Sequence, residues 1–160
     1  MFKEKDFEDI RPYRDDEINP ALKRIISNPA FDKILDFFLP HEDKDKIKDL
    51  LSEIKSAHSF QKKFVYQLIK SIISKSSSGL TCNGIDNLNP GTPYLFISNH
   101  RDIVLDSAIL QMLLVDYGHD TTEISFGSNL MINPFVVDLG KANRMFRVIR
   151  GGSSRELLKN

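Results

Sequence analysis

The stretch Tyr94-Leu95-Phe96-Ile97-Ser98-Asn99-His100-Arg101-Asp102-Ile103-Val104-Leu105-Asp106 decides the reading of the chain. Pro93 bounds a short apolar run, residues 94–97, that reads as a buried strand. Residues 103–115 are long and apolar enough for a core helix. His100 is therefore expected at the C-terminal end of a strand, in front of a helix, where open α/β sheets carry their chemistry. A neutral imidazole there takes a proton, and a carboxylate on its other nitrogen fixes the tautomer. Asp102 and Asp106 are four apart, so a helix beginning at Asp102 puts both on one face near His100. Spacing does not choose between them. Asp102 reads equally as a plain helix N-cap; a solvated helix residue suits Asp106 less, since it sits inside the apolar run 103–114, and a structural core histidine is the competing reading of His100.

Working outward, the pattern alternates. Strand 94–98, helix 103–117, strand 122–126, helix 134–142 and strand 145–149 argue a mainly parallel sheet with crossover helices. Leu80-Thr81-Cys82 is a short strand candidate, and Asn83-Gly84 and Asn89-Pro90-Gly91 are turns. Ser76-Ser77-Ser78-Gly79 marks a boundary. Before it, residues 17–75 carry four apolar stripes at helical spacing, a small bundle. Asn19-Pro20 and Asn28-Pro29 read as N-cap followed by the first helical residue, and Ser59 as the cap of the fourth helix. Residues 1–15 read as a loose arm. The fold class is thus α/β: a helical bundle over 1–78, then an incomplete βαβαβ sheet over 79–160. The stripes are core, and the Phe37-Phe38-Leu39 end is the bundle's candidate for a lid or membrane contact.

The 160 residues carry 22 basic and 22 acidic side chains, so the chain lacks the basic excess of a nucleic-acid binder. The single cysteine, Cys82, excludes an intramolecular disulfide and fits a reducing compartment. Charge begins at Lys3, unlike a secretory leader, and no apolar run reaches the ~20 residues of a membrane span. The expected place is the cytoplasm, with peripheral contact at the inner face of the membrane left open. From Lys141 to Arg155 the chain has five basic residues and no acidic one. Arg147 and Arg150, followed by Gly151-Gly152 and a helix start near Ser153, suit a phosphate. A solvated basic face is the competing reading.

Residues 80–150 resemble the glycerolipid acyltransferases, the glycerol-3-phosphate and 1-acyl-glycerol-3-phosphate acyltransferase family. Gly84, Ile85, Asn87-Leu88, Pro90, Gly91 and Pro93, then Phe96-Ile97-Ser98-Asn99-His100, are similar to the family's approach to its histidine. Asn99-His100-Arg101 with Asp106 resembles the first motif, and Leu130 and Pro134 followed by Arg150 resemble the second. The resemblance implies an acyltransferase-like sheet. It also implies transfer of a fatty acyl group to a hydroxyl of glycerol phosphate or a lysophospholipid, in phospholipid biosynthesis. Acyl-CoA or acyl-carrier protein is the donor, and no metal or other cofactor is called for. His100 would be the base and Asp106, or Asp102, its partner. Arg150 would hold the acceptor phosphate, with Arg147, Lys141 and Arg101 assisting.

Four departures stand beside the likeness. Asp106 lies one residue further from the histidine than usual, and Asn89 is inserted before Pro90. Gly127-Ser128 replaces a common basic residue, and Arg144 stands where the family often has glycine. The third motif, of Glu-Gly-Thr-Arg type, and a later proline motif belong beyond residue 150. The chain is therefore expected to be the N-terminal part of a longer enzyme. Two alternatives carry the same residues: a thioester or phosphate hydrolase using the His–Asp pair, and a non-catalytic lipid-binding module on an acyltransferase scaffold.

Overall fold

The computed structural model describes residues 7–149. The first half is helical: α1 (Asp15–Ile26), α2 (Pro29–Phe38), α3 (Lys44–Glu53), α4 (Ala57–Phe60) and α5 (Tyr66–Ser76). A π turn at Gln61–Val65 joins α4 to α5, so the fourth predicted helix is one rod with an inserted wide turn. Asn28 caps α2 as expected, its Oδ1 accepting from the Ala30 amide at 2.9 Å with Pro29 behind it.

Two caps fall earlier in the chain than the sequence suggested. α1 starts at Asp15 and carries Pro20 inside it. Three acidic residues in the first turn favour that end, and Glu17 accepts from the Arg14 amide at 2.7 Å. Asn19 is thereby freed from capping and donates to the carbonyls of Ser52 and Ile54, at 2.6 and 3.0 Å. α4 is capped by Ser56 rather than Ser59; the Ser56 hydroxyl accepts from the Ser59 amide at 3.1 Å.

The second half alternates. After α6 (Leu105–Asp116) come β1 (Ile124–Gly127), α7 (Pro134–Ala142) and β2 (Met145–Val148). β1 and β2 pair in parallel, from Ile124 opposite Met145 to Gly127 opposite Val148, with α7 as the crossover. Among the described residues the sheet has these two strands. Residues 94–98 and 80–82, expected as strands, have no ladder partner and no regular secondary structure. The physical reason is that a strand needs a neighbour for its N–H and C=O groups. Here Leu95 and Ile97 are 86% and 88% exposed and only Phe96 is partly covered. The expected final helix lies outside the described residues.

One hydrophobic core runs across the predicted boundary at residue 78. Ile18, Leu22, Phe31, Leu35, Phe60 and Phe64 pack together with Ala142 of α7 buried among them. Phe60 and Phe64 stack at 5.6 Å between centroids. Full burial of each such side chain is worth about 1.5–3 kcal/mol. Polar ties reinforce the junction. Tyr13 donates its hydroxyl to Asp138 at 2.6 Å, and Arg24 reaches the same carboxylate at 2.7 and 2.8 Å. Buried Gln61 donates to the Asn143 carbonyl and accepts from the Thr121 hydroxyl at 2.6 Å. Residues 7–13, predicted loose, are docked: the Arg147 amide donates to the Ile10 carbonyl at 2.8 Å along the outer edge of β2. No helix among the described residues is long and apolar enough to cross a membrane.

Candidate active site

The loop between residue 98 and α6 gathers the histidine and both carboxylates. Asp102 behaves as a cap, its Oδ1 accepting from the amides of Val104 and Leu105 at 2.8 and 2.7 Å. These are the amides of Val104, the N-cap residue of α6, and of Leu105, its first residue, so Asp102 satisfies donors just ahead of the helix. Asp106, in the first turn of α6, turns back over the loop. Its Oδ2 accepts from the amides of Arg101 and Asp102 at 2.6 and 2.9 Å, and it meets His100 Nδ1 at 3.1 Å. The question the spacing left open thus resolves: Asp106 pairs with the imidazole and Asp102 shapes the helix start. α6 starts at Leu105, one residue before Asp106.

The electrostatics follow from these contacts. Hydrogen bonds from the Asp102 and Arg101 amides, then His100, hold the Asp106 carboxyl below the usual carboxylate range against the effect of burial. An ionised Asp106 is acceptor-only, so the ring nitrogen facing it donates. In the neutral ring the lone pair is then on Nε2. The His100 side chain is 63% exposed, which excludes the sealed core histidine as a description of it. The site is thus an imidazole oriented from behind with its other nitrogen open to solvent.

The remaining candidates are distributed differently. Arg101 is exposed beside His100 and uses its backbone, not its side chain, to hold Asp106. Arg147 on β2 and Lys141 on α7 meet around the N-terminal arm instead. Arg147 Nη2 binds Asp9 Oδ2 at 2.5 Å, and Lys141 Nζ donates to the Asp9 carbonyl at 3.2 Å. Arg147 Nε is buried and has no acceptor among the described residues, a donor whose burial costs about 1–3 kcal/mol. Arg150, with Gly151, Gly152 and Arg155, lies outside the described residues. No group of three His, Cys, Asp or Glu side chains among the described residues is placed to hold a metal.

Sequence reasoning missed two parts of this arrangement. The loop amides of Arg101 and Asp102 are backbone donors that no side-chain pattern announces. Asp9 reaches Arg147 across 138 residues of chain, a pairing that no local signal carries. At Phe37, the exposed apolar end named from the sequence is present: its ring is 78% exposed and packs edge-on against Phe38.

Arg144 adds a backbone observation. It has φ 58°, the left-handed region, and is the one described non-glycine residue with positive φ. Its guanidinium donates to the Thr121 carbonyl at 2.9 Å, tying the turn before β2 to the segment before β1. Set against known proteins, the chain matches no family model, no curated protein and no solved structure.

Proposed function

We propose that this chain carries the catalytic histidine of an O-acyltransferase that moves a fatty acyl group from acyl-CoA or acyl-carrier protein to a hydroxyl of glycerol phosphate or a lysophospholipid. The observation that carries the reading is the 3.1 Å pairing of His100 Nδ1 with Asp106, which leaves Nε2 solvent-facing. In the reaction, Nε2 takes the proton of the acceptor hydroxyl as its oxygen attacks the thioester carbonyl. The tetrahedral oxyanion collapses, the C–S bond breaks, and the imidazolium returns its proton to the thiolate. The products are an ester and a free thiol. Asp106 stabilises the imidazolium between the two steps. General-base assistance of this kind is worth about 10²–10⁴ in rate.

On this reading Arg150 and Arg101 bind the acceptor phosphate. The exposed Phe37 supports contact with a membrane surface. The test is to incubate the full-length protein with acyl-CoA, with and without glycerol 3-phosphate or a lysophospholipid. Acceptor-dependent release of free CoA with formation of the ester supports transfer. Equal release without acceptor indicates a hydrolase, and no release in any arm indicates a binding module.

A further inference from the structure

A second charged cluster lies where residues 7–13 cross the outer edge of β2. Asp9 there faces two cations. Its carboxylate binds Arg147 Nη2, and its carbonyl accepts from Lys141 Nζ. Lys141 also stands 5.7 Å from the centre of the Tyr13 ring, and its own carbonyl accepts from the Tyr13 amide. Arg11 lies close by but is already paired with Glu8 and Glu17, at 2.7 and 2.6 Å. Burial first, then repulsion from Arg11 and Arg147, pushes the Lys141 ammonium below its ordinary range, ahead of the attraction of Glu17 and Asp9.

The geometry of Arg147 shows which anion would suit it. A guanidinium offers Nε and one Nη along a single edge, matched to two oxygens of one acceptor. Asp9 uses Nη2, while Nε is buried without an acceptor among the described residues. The edge is half used. The Asp9 side chain is 65% exposed, and such a surface pair is weak. A phosphate monoester near pH 7 brings about −1.5 to −2 charge and three acceptor oxygens.

We propose that Lys141 and Arg147 form an anion site for a phosphate monoester, in which Asp9 sits as a built-in stand-in. Phosphate binding and docking of residues 7–13 on β2 then exclude each other. The site does not depend on the transfer chemistry, since none of its contacts involves His100 or Asp106. Its ligand is either an organic phosphate monoester or free phosphate.

The amide of Arg147 reports the arm directly, because the Ile10 carbonyl protects it. Hydrogen exchange at that amide is followed in the full-length protein with added inorganic phosphate, glycerol 3-phosphate, or chloride at matched ionic strength. Both phosphates should accelerate exchange and chloride should not. Tighter binding of glycerol 3-phosphate identifies an organic monoester as the ligand, and equal binding identifies free phosphate. Asp9→Asn should bind inorganic phosphate about tenfold more tightly by calorimetry, because the intramolecular competitor is gone. Lys141→Gln should lose the response, and Arg150→Ala, at the proposed acceptor contact, should keep it, which separates this site from the one in the transfer reading. An equal effect of chloride, or an Arg147 amide indifferent to both phosphates together with unaltered affinity in Asp9→Asn, would overturn it.

Discussion

His100 and Asp106 are six residues apart in sequence and 3.1 Å apart in space, and the oxygen that meets the ring also accepts two loop amides. The carboxylate is therefore fixed before the imidazole arrives. Replacing it by an amide of the same shape puts either N–H groups or a weaker acceptor against these donors. Asp106→Asn should lower transfer by about 10²–10⁴, through loss of the oriented tautomer and of imidazolium stabilisation. Single-turnover kinetics on the variant, with ligand-free stability measured in parallel, checks that the loss lies in the chemical step.

Asp102 does a different job with the same functional group. Asp102→Ala should destabilise the protein by about 1 kcal/mol, because it leaves the Val104 and Leu105 amides without their cap. Asp102→Asn, which keeps an acceptor oxygen, should recover most of that stability. Urea unfolding of the two variants compares them. A loss of activity in Asp102→Asn as large as in Asp106→Asn would return Asp102 to the catalytic pair.

Asp138 joins the two halves of the molecule. Burial pushes its carboxyl up, yet hydrogen bonds from Arg24 and Tyr13 outweigh that and hold it below the ordinary carboxylate range. In return, burial and the Asp138 carboxylate push the Tyr13 hydroxyl up to about 12. A carboxyl with a depressed folded-state value contributes its full stability above the unfolded value of about 3.9 and loses it as pH falls through the folded value. Asp138→Asn should therefore cost about 2–3 kcal/mol at neutral pH. Its stability should also decline less steeply than wild type as pH falls below about 4. Thermal melts from pH 7 to pH 3 read both effects.

Arg144 carries strain that its backbone makes visible. A side chain in the left-handed region costs about 1–2 kcal/mol. Arg144→Gly and Arg144→Ala both lose the bond to Thr121, so that loss cancels between them. The glycine variant should be the more stable by about 1 kcal/mol. Equal stabilities would mean that φ 58° carries no cost here.

Much of this fold was legible in the sequence because its signals are local. Asn28-Pro29 announces α2 by a cap and a fixed φ, and the alternation after residue 120 gives β1, α7 and β2 within two residues of their ends. Asn19-Pro20 misled because a capping residue can be used elsewhere when an acidic first turn supplies a better start. Residues 94–98 have a strand's composition, but pairing is a property of neighbours, and none borders them among the described residues. At the site, His100 and both aspartates were visible as residue types. Their division of labour was not, since it depends on which amides the loop presents. The docking of Asp9 on Arg147 had no local signature at all.

The central claim is that the solvent-facing nitrogen of His100 takes the acceptor's proton. It is tested by ester formation from acyl-CoA and glycerol 3-phosphate or a lysophospholipid, measured by mass spectrometry for wild-type full-length protein and for His100→Ala. The variant should fold with unaltered stability, because the ring is exposed. Transfer should fall by at least about 10². A His100→Ala protein that forms ester at near-normal turnover would contradict it.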